Sequence, residues 1–426
     1  MIEGIRFYRE TEFKETPIGK IPTDWDVQEL GDESIADIIA GQSPPSSTYN
    51  KENRGLPFLQ GKMEFGEMFP SPTTYCLEPI KIAKKDDVLL SVRAPVGEVN
   101  IAPFECCIGR GLAAIRTKVD RLNHLFLFYC LKLEGRRFEA LSSGSTFKAI
   151  RIQEIEKFSI PVPSLGEQRA VVGVLGVVDS AIEKTDGVIA KAERLKKGLM
   201  HELLTKGIGH KEYEYSKELG CTIPKDWEVA KLGDFAEFKN GVNFGKEQRG
   251  SEGMLTVDVL NMYGESIYLN LKDLYRVKIA ENHDYVLEKG DILFVRSSLK
   301  REGAGWASLF DGWNEPVTFC GFIIRAKLQR KDILPEFLTY FLRSELARNK
   351  LVAGSGQVAI TNITQETLRI FRFPLPSLQE QEKIVEMLST VDKKLGLERR
   401  EKSKLERVKR GLMDLLLTGK VRVKVN

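Results

Sequence analysis

Six short stretches of this chain are rich in side chains that hydrogen-bond to phosphate oxygens and to the edges of nucleic-acid bases. Ser43–Gly55 (SPPSSTYNKENRG), Leu59–Gly66 (LQGKMEFG) and Ser142–Ile150 (SSGSTFKAI) lie in its first half. Phe238–Gly250 (FKNGVNFGKEQRG), Val295–Trp306 (VRSSLKREGAGW) and Ala353–Thr361 (AGSGQVAIT) lie in its second. Arg and Lys suit guanine O6/N7 or phosphate, Asn and Gln suit adenine, and Gly lets the backbone come close. The candidate contacts are Gln42, Ser43, Gln60, Lys62, Arg93, Thr146 and Lys148 in the first half, and Asn243, Lys246, Arg249, Arg296, Lys300, Arg301 and Gln357 in the second. Arg93 and Arg296 rank first, because each follows a strand-like run found in both halves, DVLLSVR and DILFVR. Solvent loops share this composition, so the loops alone do not decide the matter.

Bond-making chemistry is not legible. No GxxxxGK[ST] loop is present, and GVNFGKE (Gly241–Glu247) has the wrong spacing for one. GxGxxG after a strand, HExxH and GxSxG are also missing, and no carboxylate pair stands out as an acid–base couple. The four histidines are scattered, and the six cysteines (Cys76, Cys106, Cys107, Cys130, Cys221, Cys320) never form CxxC, so no metal ligation is expected. Reduced thiols in a prokaryotic cytoplasm are the expectation. The start, MIEGIRFYRE, has charges where a signal peptide needs an apolar run. Nothing approaches the roughly 18 apolar residues of a membrane span. The net charge is +4, too small to argue for a polyanionic partner by itself.

The elements that would position these loops are written twice. IPTDWDVQELGD (Ile21–Asp32) returns as IPKDWEVAKLGD (Ile223–Asp234), identical at eight of twelve positions. IPVPSLGEQ (Ile160–Gln168) returns as FPLPSLQEQ (Phe373–Gln381), and ERLKKGLMHELLT (Glu193–Thr205) as ERVKRGLMDLLLT (Glu406–Thr418). Three ordered matches indicate a tandem duplication of units of roughly 200 residues. Both frames are kept while the middles have diverged, so the middles are where the two copies differ in task. Short apolar runs bounded by Gly, Pro, Asn and Ser, with helical pieces between them, predict a compact α/β domain in each middle.

A long helix follows each domain. Ser164 and Ser377 are N-cap candidates, with Glu167 and Glu380 three residues on as in a capping box. Apolar residues then recur at spacings of four and three: Val171, Leu175, Val178, Ile182, Ile189, Ala192, Leu195, Leu199 and Leu203, then Ile384, Leu388, Val391, Leu395, Leu405, Val408, Leu412 and Leu416. Thr185, Glu398 and Lys402 interrupt the stripe. Such a stripe predicts a two-helix coiled coil of ~39-residue, ~58 Å helices. The first helix ends where the second domain begins and the second helix leaves that same domain, so the expected pairing is antiparallel with pseudo-two-fold symmetry. The expected fold class is α+β. The expected divisions are 1–164 (first α/β domain), 165–208 (first spacer helix), 209–377 (second α/β domain) and 378–426 (second spacer helix and basic tail). Trp25 and Trp227 are expected as core anchors. The tail from Arg399 to Lys424 is a candidate for contact with phosphates or a partner.

Duplex DNA has local two-fold symmetry, which suits paired readers, and ~58 Å of helix covers at most about 17 base pairs. The repeated frame resembles the specificity subunit of type I restriction–modification enzymes. The resemblance rests on IPxxWxVxxLGD opening each unit, a Gly/Ser-rich turn followed by Ile150 or Ile360, and the PSLGEQ or PSLQEQ helix start; it covers nearly the whole chain. It implies a non-catalytic subunit with two target-recognition domains that bind a bipartite, asymmetric double-stranded DNA site. Two methyltransferase subunits and the restriction–translocation subunits would be its partners, and S-adenosylmethionine, ATP and Mg would be cofactors of those partners, with none in this chain. A duplicated protein-binding coiled-coil scaffold and a single-chain modification enzyme are the alternatives.

Overall fold

The structure, a computed structural model, describes residues 6–142, 149–279, 283–298, 300–353 and 361–424. It is an α+β protein of two compact units, one made of Met1–Asp186 with Glu401–Asn426 and the other of Gly187–Arg400.

In the first unit, strands Val99–Ile101, Val88–Ser91, Leu112–Thr117 and Ala36–Ala40 form an antiparallel sheet in that order. A second sheet is built around Leu56–Leu59, which runs parallel to Cys106–Ile108. The second unit repeats the plan. Ala307–Leu309, Ile292–Val295, Ile323–Leu328 and Ala236–Asn240 form the antiparallel sheet, and Met254–Val257 runs parallel to Val317–Phe319. The runs VLLS and ILFV are wholly buried, and covering both faces of a strand removes the usual alternation of apolar and polar residues.

Each unit closes its core with one short helix and parts of two long ones. The long helices are Leu165–Thr205 and Leu378–Leu417. In the first unit Val88, Leu90 and Ile115 share a core with Phe126 and Leu127 of helix His124–Leu133, with Val171 and Leu175, and with Met413 and Leu416. In the second, Ile292 and Phe294 share one with Phe337 and Leu338 of Pro335–Arg343, with Leu203 and Leu204, and with Ile384 and Leu388.

Within each unit the long helices pair antiparallel. In the first, Asp179 pairs with Lys409 and Asp186 with Lys402, so partner numbers fall on one helix as they rise on the other. In the second, Glu193 pairs with Arg399 and Lys196 with Asp392. Lys402, an interruption of the apolar stripe, is thereby partnered. Leu195 and Val408 depart from the expected seam. They occupy equivalent places on the two helices and are 56% and 51% exposed.

The same polar contact ties the globular part to the helix pair in both units. Tyr129 donates its hydroxyl proton to Asp179 (2.6 Å), and Lys409 closes on the same carboxylate. Tyr340 donates to Asp392 (2.8 Å), with Lys196 at 2.5 Å. Burial and the adjacent carboxylate push both tyrosine hydroxyls well above their ordinary range, so both stay protonated donors.

The repeated motifs meet at the root of each long helix. Ser164 and Ser377 accept from the N–H of Glu167 and Glu380, as N-caps do. The glutamates do not complete a capping box. Glu167 accepts from the Trp25 indole (3.1 Å) and from Arg422 (2.9 and 2.8 Å). Glu380 accepts from the Trp227 indole (3.0 Å) and the Ile208 N–H (2.8 Å), with His210 Nε2 at 2.8 Å. Both tryptophans are buried. The basic tail is therefore partly structural. Val421–Lys424 pairs with Arg6–Arg9, and Arg422 also binds Glu10 and Asp24.

One pair has diverged between the copies. Asp87 is held by two bonds from Arg116 (2.9 and 2.8 Å). Lys327, at the equivalent strand position, turns to Glu288 instead (2.5 Å), and Asp291 is left with the Glu288 N–H (2.8 Å) and Arg325 at 3.8 Å. Burial then pushes the Asp291 carboxyl up to about 6.

Two outcomes are expected. Tyr129→Phe removes a half-buried hydrogen bond to a charged group and lowers stability by about 1.5–3 kcal/mol in urea unfolding; a change within error would show that the contact does not hold the unit together. For Asp291 the folded value lies above the unfolded one, so ionisation costs stability as pH rises. The stability of wild type relative to Asp291→Asn falls between about pH 4 and pH 6 and levels off above. A difference independent of pH would contradict the burial argument.

Candidate nucleic-acid interface

The antiparallel sheet of each unit ends at an edge where five chain segments converge. In the first unit, main-chain bonds run from Gly41 to Leu112 O, Gln42 to Ile108 O, Val92 to Gly111 O, Gly109 to Leu59 O and Ile150 to Val92 O, at 2.8–3.0 Å. In the second they run from Gly241 to Ile323 O, Val242 to Phe319 O, Arg296 to Phe322 O, Cys320 to Val257 O and Ile363 to Arg296 O, at 2.7–3.0 Å. The two edges are the same backbone construction. It demands close approach: a Cβ on Gly41 would lie 2.1 Å from Gly109 O, and one on Gly241 would lie 2.2 Å from Cys320 O. Only glycine fits either place.

This edge gathers most of the expected contacts of the first unit. Gln42, Gln60, Lys62 and Arg93 are exposed, and Ser43 is half-buried. Ser43 Oγ accepts from the N–H of Arg110 (3.3 Å), Lys62 pairs with Glu98 (2.6 Å), and Arg93 bridges to Ala149. Thr146 and Lys148 lie outside the described residues. Arg110, also exposed, belongs to the cluster and escaped the sequence reading. Its signal was the Gly109-Arg110-Gly111 sequence, which puts a cation on a turn that must approach its neighbours closely.

The second edge brings Asn243 and Arg296 together around Gly321. Asn243 Oδ1 fills the space beside Gly321 Cα, and Arg296 donates to Gly321 O at 3.4 Å. Arg249 sits on the neighbouring loop, bonded to Asp258 (3.1 Å) with its guanidinium 4.3 Å from the Tyr275 ring centroid. Lys246 is exposed on the same loop. Lys300 is exposed on a separate turn, where its N–H donates to Ser298 Oγ (3.2 Å). Arg301 follows it with its side chain undescribed, and Gln357 lies outside the described residues. Phe322, 60% exposed beside Gly321, was not foreseen.

Arg93 and Arg296 both follow the strand shared by the two units, but they do not occupy equivalent places. The main-chain bonds place Arg296 opposite Val92 of the first unit, and Arg93 corresponds to Ser297, which pairs with Asn362 as Arg93 does with Ala149. The edge is kept while the side chains on it are exchanged.

Among the described residues no group of three or more His, Cys, Asp or Glu is placed to hold a metal ion. Burial pushes the thiols of Cys106 and Cys320 up to about 12 and that of Cys107 up to about 11, which keeps them protonated and poorly nucleophilic.

Known proteins share this duplicated frame. The family described as type I restriction modification DNA specificity domain matches residues 22–194 and again 224–407. The chain belongs to that family. The type I restriction enzyme MjaVIII specificity subunit of Methanocaldococcus jannaschii is 27% identical over all of this chain and 99% of its own length. A second protein of that organism, under the provisional name type I restriction enzyme MjaX specificity subunit, is 48% identical, but the match covers only 46% of this chain and 47% of that protein. The EcoKI specificity subunit of Escherichia coli is 22% identical over 86% of this chain and 82% of its own. The fold is similar to a solved type I S subunit from M. genitalium, with a TM-score of 0.56 and 19% identity over 92% of this chain and 96% of that one. Among the described residues, no helix is long and apolar enough to cross a membrane.

Proposed function

We propose that this member of the specificity family binds double-stranded DNA at a bipartite, asymmetric site, with one half-site read by each unit's strand-end edge. The observation that carries the reading is the paired edge. Two identical backbone constructions present different side chains: Gln42, Ser43 and Arg110 on one, and Val242, Asn243 and Gly321 on the other. A symmetric target would call for matching readers. Guanidinium, amide and hydroxyl groups on short, glycine-tightened turns suit base edges and phosphates.

On this reading the chain makes no covalent bond. It directs two methyltransferase subunits, and through them restriction–translocation subunits, to the site in a prokaryotic cytoplasm. S-adenosylmethionine, ATP and Mg belong to those partners. The relatives, named as specificity subunits of type I restriction enzymes, support this division of labour.

The deciding experiment maps methylated positions in the host genome with and without the gene. One interrupted, non-palindromic motif disappears with the gene; a methylome that does not change overturns the reading. Arg93→Ala and Arg110→Ala each weaken binding to that motif by about 1–3 kcal/mol in a salt-controlled titration. They relax the choice of base in one half-site only. A uniform loss across sequences would instead assign these residues to the phosphates.

A further inference from the structure

After the strand that leads to each edge, the chain makes a single helical turn, Lys62–Glu64 in the first unit and Val259–Met262 in the second. Both turns are closed by the same device. Gly61 donates its N–H to the Glu64 carboxylate (3.3 Å), and Asp258 donates its N–H to the Asn261 side-chain oxygen (2.9 Å). The second residue of each turn is a large apolar one, Met63 or Leu260. They are the two most exposed among the large exposed hydrophobic residues described, at 95% and 83%.

A lone exposed apolar side chain is ordinary. Two at the same place in the capped turn, although the first turn starts one residue farther from its strand, and in copies whose middles have otherwise diverged, are a retained feature. The turns are braced, so these side chains stand on fixed supports. Lys62 is held by Glu98, while Asn261 donates to the carbonyls of Asn270 and Lys272. Both turns adjoin the edge residues. Gln60 and Lys62 share the connection with Met63, and Asp258, which opens the Leu260 turn, accepts from Arg249 and from the Cys320 thiol.

Only one apolar group is offered by base edges in an intact major groove, the C5-methyl of thymine. We infer that Met63 and Leu260 each contact a thymine methyl, one in each half-site, beside the polar groups that read the neighbouring base edges. This rests on the DNA-reading role proposed above.

The test uses the complex purified from the host through this chain, and duplexes that carry the mapped motif. Replacing thymine by uracil removes the methyl and keeps the hydrogen bonds. At one thymine of one half-site, uracil weakens wild-type binding about fourfold, the factor for burying one methyl-sized group. Met63→Ala weakens binding to the thymine duplex by a similar factor and adds nothing on the uracil duplex. Leu260→Ala couples in the same way to a thymine of the other half-site. Met63→Leu restores most of the loss, and Val119→Ala, at a residue 78% exposed elsewhere, changes nothing. If wild type prefers the motif but no thymine couples to either residue, the inference is overturned while the DNA reading stands. Loss of methyltransferase subunits from the Met63→Ala or Leu260→Ala complex, with DNA affinity unchanged, overturns it too. If wild type does not distinguish the motif from a scrambled duplex, the DNA reading itself falls.

Discussion

Each long helix begins with a glutamate and a glutamine that cannot be left unsatisfied. Gln168 and Gln381 are fully buried. Gln168 donates to the carbonyls of Arg121 and Pro163 and accepts from the Asn123 N–H; Gln381 does the same with Asp332, Pro376 and Leu334. Asn123 and Leu334 open the short helix that carries Tyr129 or Tyr340. One amide thus fixes the start of the short helix against the root of the long one. The neighbouring glutamate fixes the opening tryptophan to the same root. A buried amide or carboxylate stripped of its partners costs several kcal/mol, so the residues of IPxxW and PSLxEQ cannot drift one at a time. This is why the frames of the two copies stay alike.

The strand-end edges are under a different constraint. Their shape is set by main-chain hydrogen bonds and by glycines at points of close approach, and neither depends on which side chains face outward. Gln42 gives way to Val242 and Arg93 to Ser297 without disturbing one bond of the construction. Exposed substitutions of this kind shift stability by less than about 0.5 kcal/mol. The fold can therefore exchange the outward side chains of the edge at little cost.

That contrast explains what the sequence revealed and what it hid. The duplication, the mixed domains, the long helices and their antiparallel sense were legible because buried polar contacts and core packing hold those residues in place. The edge was legible only as composition. Gln42, Gln60 and Arg93 stood out by type, but nothing in the order of residues announced that the turn at Arg110 lies beside them, because the bonds that bring it there are made by the backbone. The one-residue shift between Arg93 and Arg296 was hidden for the same reason: two strand-like runs look alike whichever residue the sheet register carries to the edge. The helix stripe misleads at Leu195 and Val408, where the spacing is right but neighbouring surface covers only about half of the residue. The capping-box expectation failed at Glu167 and Glu380 because a distant indole outbid the local backbone donor.

The same logic separates the cations of the tail from those of the first strand-end edge. Lys409 and Arg422 face carboxylates in the interior of their unit, and removing either would strand a charge. A cation so committed cannot also neutralise a phosphate without leaving its partner. Arg93 and Arg110 stand on turns whose geometry is complete without their side chains, so a base or phosphate contact would cost the fold nothing. Availability of this kind, rather than the amount of positive charge, marks where a nearly neutral protein can bind a polyanion.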